Sequence, residues 1–342
     1  MKITKARFQL TAVLAVALSA LLSLANAAEK TRLSVGYMPI MVDSQLFVIE
    51  GEGWLDEANI ELDKKRFSSG PAMVQALASG QLDVVYFGIG PAMVARAKGV
   101  DLRVVAGNVQ EQIAFIAQGE LRKLMDQYEP KQAVKKFMES QGRKPKIATF
   151  PKGSVPDTVL RHWLIKVADI PLEDVEIVPL GASRVQQALL ADSVDAASIL
   201  EPVLTIVLEK KPDAKVFAKG GEMLPNQPGA VLAVRERLIK DKPEVVKTLV
   251  ALHRRATQLI LEDPKRAAKH VHKTIGEGLI PISLIEKAIT SPYLKFQPDP
   301  RKIVDATQVM HDFQEEIGTL RNRVAISELF DLSFYEALDS AR

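Results

Sequence analysis

The groups in this sequence best placed to do chemistry are main-chain amides at the starts of helices, rather than acids, bases or nucleophiles. Five stretches carry the residues that open a helix after a turn: Asp43-Ser44, Ser69-Gly70-Pro71, Gly90-Pro91, Lys152 to Asp157, and Gly181 to Ser183. A helix N-terminus leaves about four amides unpaired and carries roughly half a positive charge, so several aimed at one point bind an anion without any lysine or arginine. Glycine lets the backbone approach a ligand closely, and serine adds a hydroxyl. Taken singly, each stretch is ordinary turn chemistry; the convergent set points to binding.

Side chains near these turns could complete a site. The candidates are Tyr37, Met38, Asp43, Ser69, Gly70, Gly90, Gln110, Lys152, Ser154, Gly181, Ser183, Glu201 and Asn226. Lys152 would supply a formal charge, as would Arg184, although solvated surface explains either equally well. Glu201 ends an apolar run just before Pro202, and Asp43 begins a helical one. A carboxylate at either place suits a ligand ammonium or ring N–H, or else compensates a helix dipole. Tyr37 would pack on a ligand, or in the core or hinge.

Enzyme chemistry has little material here. His270 and His272 are two apart and share no helix face, and with no cysteine and only 5 histidines in all, a metal cluster is not expected. Ser154 lies in GSVPD rather than a GxSxG elbow, and His162 sits beside Trp163 on a helical run that reads as packing. GIG is not GxGxxG and no GxxxxGK[ST] occurs, so no nucleotide cofactor is expected.

The elements that must position these turns alternate strand and helix. The pentapeptide GPAMV occurs at Gly70 to Val74 and again at Gly90 to Val94, each time after a strand-like run and each time opening a helix. Strands are expected at Arg32 to Tyr37, Ile60 to Phe67, Leu82 to Phe87 and Leu102 to Ala106. Such alternation implies a parallel sheet whose following loops share one edge, where ligands of open α/β sheets bind. A second unit has strands at Lys146 to Phe150, Val175 to Leu180, Asp195 to Leu200 and Ala214 to Ala218. QALASGQLD (Gln75 to Asp83) lines up with QALLADSVD (Gln187 to Asp195) at an offset of 112, which sets Ser69 to Pro71 on Gly181 to Ser183. Gly119 to Gly142 reads as charged helical surface, and a mostly helical tail follows Val234. Crossings near Asn108 to Gln112 and Pro225 to Gly229 would join two lobes, 28–111 with 228–342 and 112–227, with a cleft between them. The expected class is α/β, each lobe a mostly parallel sheet flanked by helices.

Lys2, Lys5 and Arg7 precede an apolar run from Leu10 to Leu24, and Ala25-Asn26-Ala27 has a small-x-small cleavage pattern, so residues 1–27 read as an export signal. Without those three, the 45 basic residues fall level with the 42 acidic ones, which gives no reason to expect nucleic acid or an anionic membrane as partner. Zero cysteines exclude disulfide staples and a lipid-modified cysteine, so a diffusible, monomeric periplasmic protein fits best.

With these segments placed, the chain resembles the nitrate, sulfonate and taurine group of periplasmic substrate-binding proteins, relatives of the thiamine-pyrimidine-precursor binders. The matching stretches are SVGYMPI; SSGPAMVQALASGQLDVVYFGIGPAM; PKGSVPDTVLRHWL; VDAASILEPVL; and RLIKDKPEVVKTLVALHRRA. The resemblance implies a non-enzymatic, hinge-closing receptor that delivers a small anion or zwitterion to the membrane subunits of an ABC importer. It leaves open a pyrimidine or aromatic carboxylate as ligand, an exported enzyme on the same fold, and a sensing role. The family often has His or another polar residue at the position of Asp157, and Trp or Asp-Pro near Glu201-Pro202, departures that bear on the ligand more than on the fold.

Overall fold

The computed structural model describes residues 30–276 and 279–340; the segment read as an export signal lies outside them. Two five-stranded sheets carry the chain. The first contains β1 (Thr31–Tyr37), β2 (Ile60–Arg66), β3 (Val84–Gly88) and β4 (Leu102–Gly107). After the short β5 (Val109–Gln110), the second is built from β6 (Ala114–Ala117), β7 (Lys146–Thr149), β8 (Glu176–Pro179), β9 (Ala196–Ile199) and β10 (Lys215–Lys219). The chain then returns as β11 (Ala230–Arg235) to the first sheet, and β12 (Lys295–Phe296) pairs with β5.

Burial explains the strand sequences. β3 reads VVYFG and every residue is buried, as expected of an interior strand covered on both faces. β2 reads IELDKKR and lies at the sheet edge, where charged side chains discourage pairing with another chain. The edge strand β8 ends in Pro179, which cannot donate to a further ladder.

The first sheet runs β2-β1-β3-β11-β4 and the second β10-β6-β9-β7-β8. β1 is parallel to both β2 and β3, and β7 to both β8 and β9. The offset of 112 found in the sequence carries the Gly70–Ala78 helix onto Ala182–Leu190 and the start of β3 onto that of β9. The sequence repeat is therefore a repeat of topology.

Both sheets are mostly parallel, as expected, with β11 inserted antiparallel between β3 and β4 and β6 antiparallel to its neighbours β9 and β10. The chain re-enters from the cleft end, Ala230 opposite Gly88, so it must run against the strands that end there. β6 is a strand that its four-residue apolar run AFIA did not announce. Elsewhere strand limits move by a residue or two, and Gly119–Met125 and Pro130–Gln141 form the expected charged helices.

The two crossings run side by side. Glu111 N donates to Gln227 O at 2.9 Å, Asn108 N donates to Ala230 O at 2.9 Å, and Gln110 bridges Pro228. Glu111 and Asn226 both adopt the left-handed conformation, with φ of 52° and 53°.

Candidate functional site

The ends of β1, β2 and β3 face those of β7, β8 and β9, and the loops that follow meet. A methyl group on Gly90 would lie 3.1 Å from Gly153 O; on Gly70 it would lie 2.5 Å from Pro91 Cγ; on Gly181 it would lie 3.6 Å from Ser68 O. Glycine at 90 and 181 lets the loops of the two sheets come together, and glycine at 70 lets two loops of the first sheet pack on each other.

Each loop is shaped by its own residues. After β1 the carboxylate of Asp43 accepts the Met38 amide at 2.9 Å, folding Met38 and Ile40 toward the cleft. Asp43 is fully buried, its second oxygen has no partner among the described residues, and burial raises its pKa well above the usual carboxylate range. It positions the loop from beneath and does not line a cavity. After β7, Ser154 caps the Val155–His162 helix by accepting from Asp157 N, and Asp157 accepts in return from Gly153 N. Burial raises the Asp157 pKa, against the pull of the Arg161 guanidinium.

The helices Gly70–Ala78 and Ala182–Leu190 begin at Ser69 and Gly181, and neither start is satisfied by a side-chain cap. They are the repeat-related pair, one from each sheet. Where the loop before the first meets the start of the second opens a cavity of about 680 Å³ lined by Met38, Pro39, Ile40, Arg66, Phe67, Ser68 and Gly181 to Arg184. Deeper in, a cavity of about 20 Å³, room for about one water, is lined by Met38, Ile40, Gln112, Phe150, Ser154 and Leu200 among others, with no charged side chain in its wall.

Not every predicted site residue arrives here. Met38, Gly70, Ser154, Gly181 and Ser183 line these two cavities; Ser69 lies between Ser68 and Gly70 in the same loop, and Gly90 packs on Gly153. The second GPAMV helix begins at Ile89, so Gly90 sits in its first turn rather than ahead of it. Tyr37 packs edge-on against Phe47 with Lys64 over its ring, on the flank of the first sheet. Gln110 donates to Lys302 O at the crossing, and Asn226 is an exposed turn residue. Lys152 lines a different cavity. Both oxygens of Glu201 are engaged at the start of the Val203–Lys210 helix, by Thr205 N at 3.0 Å and Thr205 Oγ1 at 2.9 Å. Burial raises its pKa while bonds from Ser291 and Thr205 oppose the rise, an arrangement that matches a carboxylate compensating a helix start. Gln112 was missed: its Oε1 accepts from Ala230 N at 2.9 Å, leaving its amide nitrogen beside the inner cavity.

Comparison with known proteins agrees with this architecture. The chain is 28% identical over 243 residues, 70% of each chain, to a protein of Brucella abortus (strain 2308) that carries the name of a binding protein. It is 27% identical over 301 residues, 85% of this chain and 83% of the other, to a Bacillus subtilis (strain 168) protein named for binding aliphatic sulfonates. The periplasmic nitrate-binding protein NrtA from Synechocystis PCC 6803 superposes with a TM-score of 0.77 at 14% identity, covering 92% of this chain and 90% of that one. The alkanesulfonate-binding protein SsuA from Xanthomonas axonopodis pv. citri, bound to MOPS, superposes at 0.71 with 21% identity over 90% and 100%. These likenesses establish the two-sheet fold of periplasmic binding proteins. Residues 26–276 match the profile of the NMT1-like family, to which this chain belongs.

Proposed function

We propose that this protein is a non-enzymatic solute receptor of the periplasm that serves an ABC importer, and that its ligand is a small organic oxyanion with an apolar body, of the alkanesulfonate or carboxylate kind. The lobes would be 28–111 with 228–342, and 112–227, hinged at the paired crossings and closing on the ligand. The observation that carries the reading is one cavity lined by the first turn of the uncapped helix after Gly181 and by Arg66 to Ser68, the loop leading into its repeat-related partner, which is likewise uncapped at Ser69. Their amides suit an oxyanion, Arg66 and Arg184 add positive potential, and Met38, Ile40 and Phe67 suit a hydrocarbon body. No carboxylate lines either cavity, which disfavours a zwitterion such as taurine: its buried ammonium would go unpaired. The names of two relatives, given for binding aliphatic sulfonates and alkanesulfonates, support the same class.

The test is a melting-temperature screen of alkanesulfonates, carboxylates, taurine, nitrate and pyrimidines, since a ligand bound only by the folded state raises the midpoint. An alkanesulfonate or carboxylate should stabilise more than its amino-substituted analogue. Preference for the amino analogue, or a response to nitrate alone, would defeat the ligand assignment. Ligand recovered chemically altered after incubation would defeat the non-enzymatic one.

A further inference from the structure

On the far side of Pro71 and Pro91 lies a separate cavity of about 320 Å³ whose wall includes Lys98, Lys152, Gly153, Thr319 and Arg321. Its parts come from both sheets: Lys98 follows the Ile89–Ala97 helix, Lys152 and Gly153 follow β7, and Thr319 and Arg321 follow the Val304–Glu316 helix. The three cations are exposed; Lys152 lies within electrostatic reach of the Asp157 carboxylate, while Lys98 and Arg321 have no side-chain ion pair or hydrogen bond among the described residues. No acidic residue lines the cavity. The Thr319 hydroxyl oxygen is buried and likewise without a partner.

A solitary unpaired lysine on a surface needs no explanation. Three like charges around one concavity repel each other, and a buried hydroxyl without a partner carries a desolvation cost, so the arrangement is incomplete as it stands. One oxyanion would relieve the repulsion, accepting from two or three cations at once. We infer that this cavity is a second anion site, for a compact oxyanion such as sulfate or phosphate, separate from the main cleft. Because its wall is drawn from both sheets, occupancy favours the arrangement in which they meet. That coupling rests on the receptor reading; the site itself does not.

The experiment is equilibrium dialysis of the mature protein with radiolabelled sulfate in a sodium chloride background of constant ionic strength. Wild type should bind saturably, and Lys98→Gln/Arg321→Gln should bind about tenfold more weakly or worse, as expected for loss of two charge-assisted contacts. Sulfate should also reduce the radius of gyration of the wild type in small-angle scattering, and not that of the double variant. Non-saturable uptake by wild type, or equal binding by the double variant, overturns the site; an unchanged radius at saturation overturns the coupling. An alkanesulfonate that still stabilises the double variant keeps the receptor reading intact if the sulfate site fails. Sulfate binding lost only in the double variant keeps the site intact if no alkanesulfonate binds.

Discussion

Gln314 Nε2 donates to Thr158 Oγ1 across 2.9 Å, tying the Val304–Glu316 helix to the helix that starts at Ser154. Phe313 meets the His162 ring edge-on beside it, and Lys166 pairs with Glu316 at 2.6 Å. These contacts join elements that belong to opposite lobes of the proposed receptor. Gln314→Ala removes the buried bond while Thr158 keeps its own bond to Ser154 O. Loss of a net contribution of about 1 kcal/mol should speed release of a bound alkanesulfonate several-fold and leave association nearly unchanged. Stopped-flow fluorescence would measure both rates; an unaltered release rate would remove the latch from the account.

Gly90→Val should separate folding from closure. A Cβ at this position would stand 2.9 Å from Gln314 Nε2 and 3.1 Å from Gly153 O, and only the second of these is rigid backbone. Ligand affinity should drop at least tenfold while the melting temperature without ligand changes little. Undiminished affinity by calorimetry would mean that the loops do not meet in solution.

Glu201→Ala should act on stability and not on ligand choice. It strips the helix start of its two bonds to Thr205, a loss of about 1–2 kcal/mol by analogy with other caps. Denaturant melts should register that loss, and dissociation constants should stay within about twofold. A changed ranking of sulfonates against carboxylates would restore Glu201 to the binding site.

Acid should destabilise the protein through His253. This ring is fully buried, its Nε2 bonded to Gly107 O at 2.7 Å, and burial lowers its pKa from 6.5 to about 4. The folded state resists a proton that the unfolded chain accepts, so the contribution of this group is complete above pH 6.5 and is lost as pH falls toward 4. The loss is of the order of 3 kcal/mol, and His253→Gln should flatten it.

Asp43 titrates with the opposite sign. Its raised pKa makes the folded state hold a proton better than the unfolded chain, a contribution present below 3.8 and lost as pH rises through the folded value. Asp43→Asn should therefore gain about 1 kcal/mol at neutral pH, with the gain vanishing toward pH 3.8. Denaturation series of both variants across this range would check the two signs. A neutral-pH loss for Asp43→Asn would show that its negative charge stabilises the fold.

The turns were legible because their chemistry is local. Gly-Pro after a strand-like run specifies strand, turn and helix within about ten residues, and the repeat at Gln75 and Gln187 matched one unit in each sheet. Roles that depend on distant partners were not legible. Glu201 before a proline looks the same whether it faces a ligand or Thr205, and only the fold brings Ser291 alongside. Extended backbone would put Gln110 and Gln112 on one face, but the left-handed Glu111 between them turns one toward Lys302 and the other toward the cavity. The place of β11 was hidden for the same reason, since nothing in AVLAVR names its neighbours.

The insertion of β11 between β3 and β4 also dictates an order of assembly. Until residue 235 is available, β3 lacks one flanking strand and β4 has no sheet to join, whereas the second sheet needs only residues 114–219. A growing or threading chain can thus complete its later-starting sheet first, and the half that begins at Thr31 is sealed last.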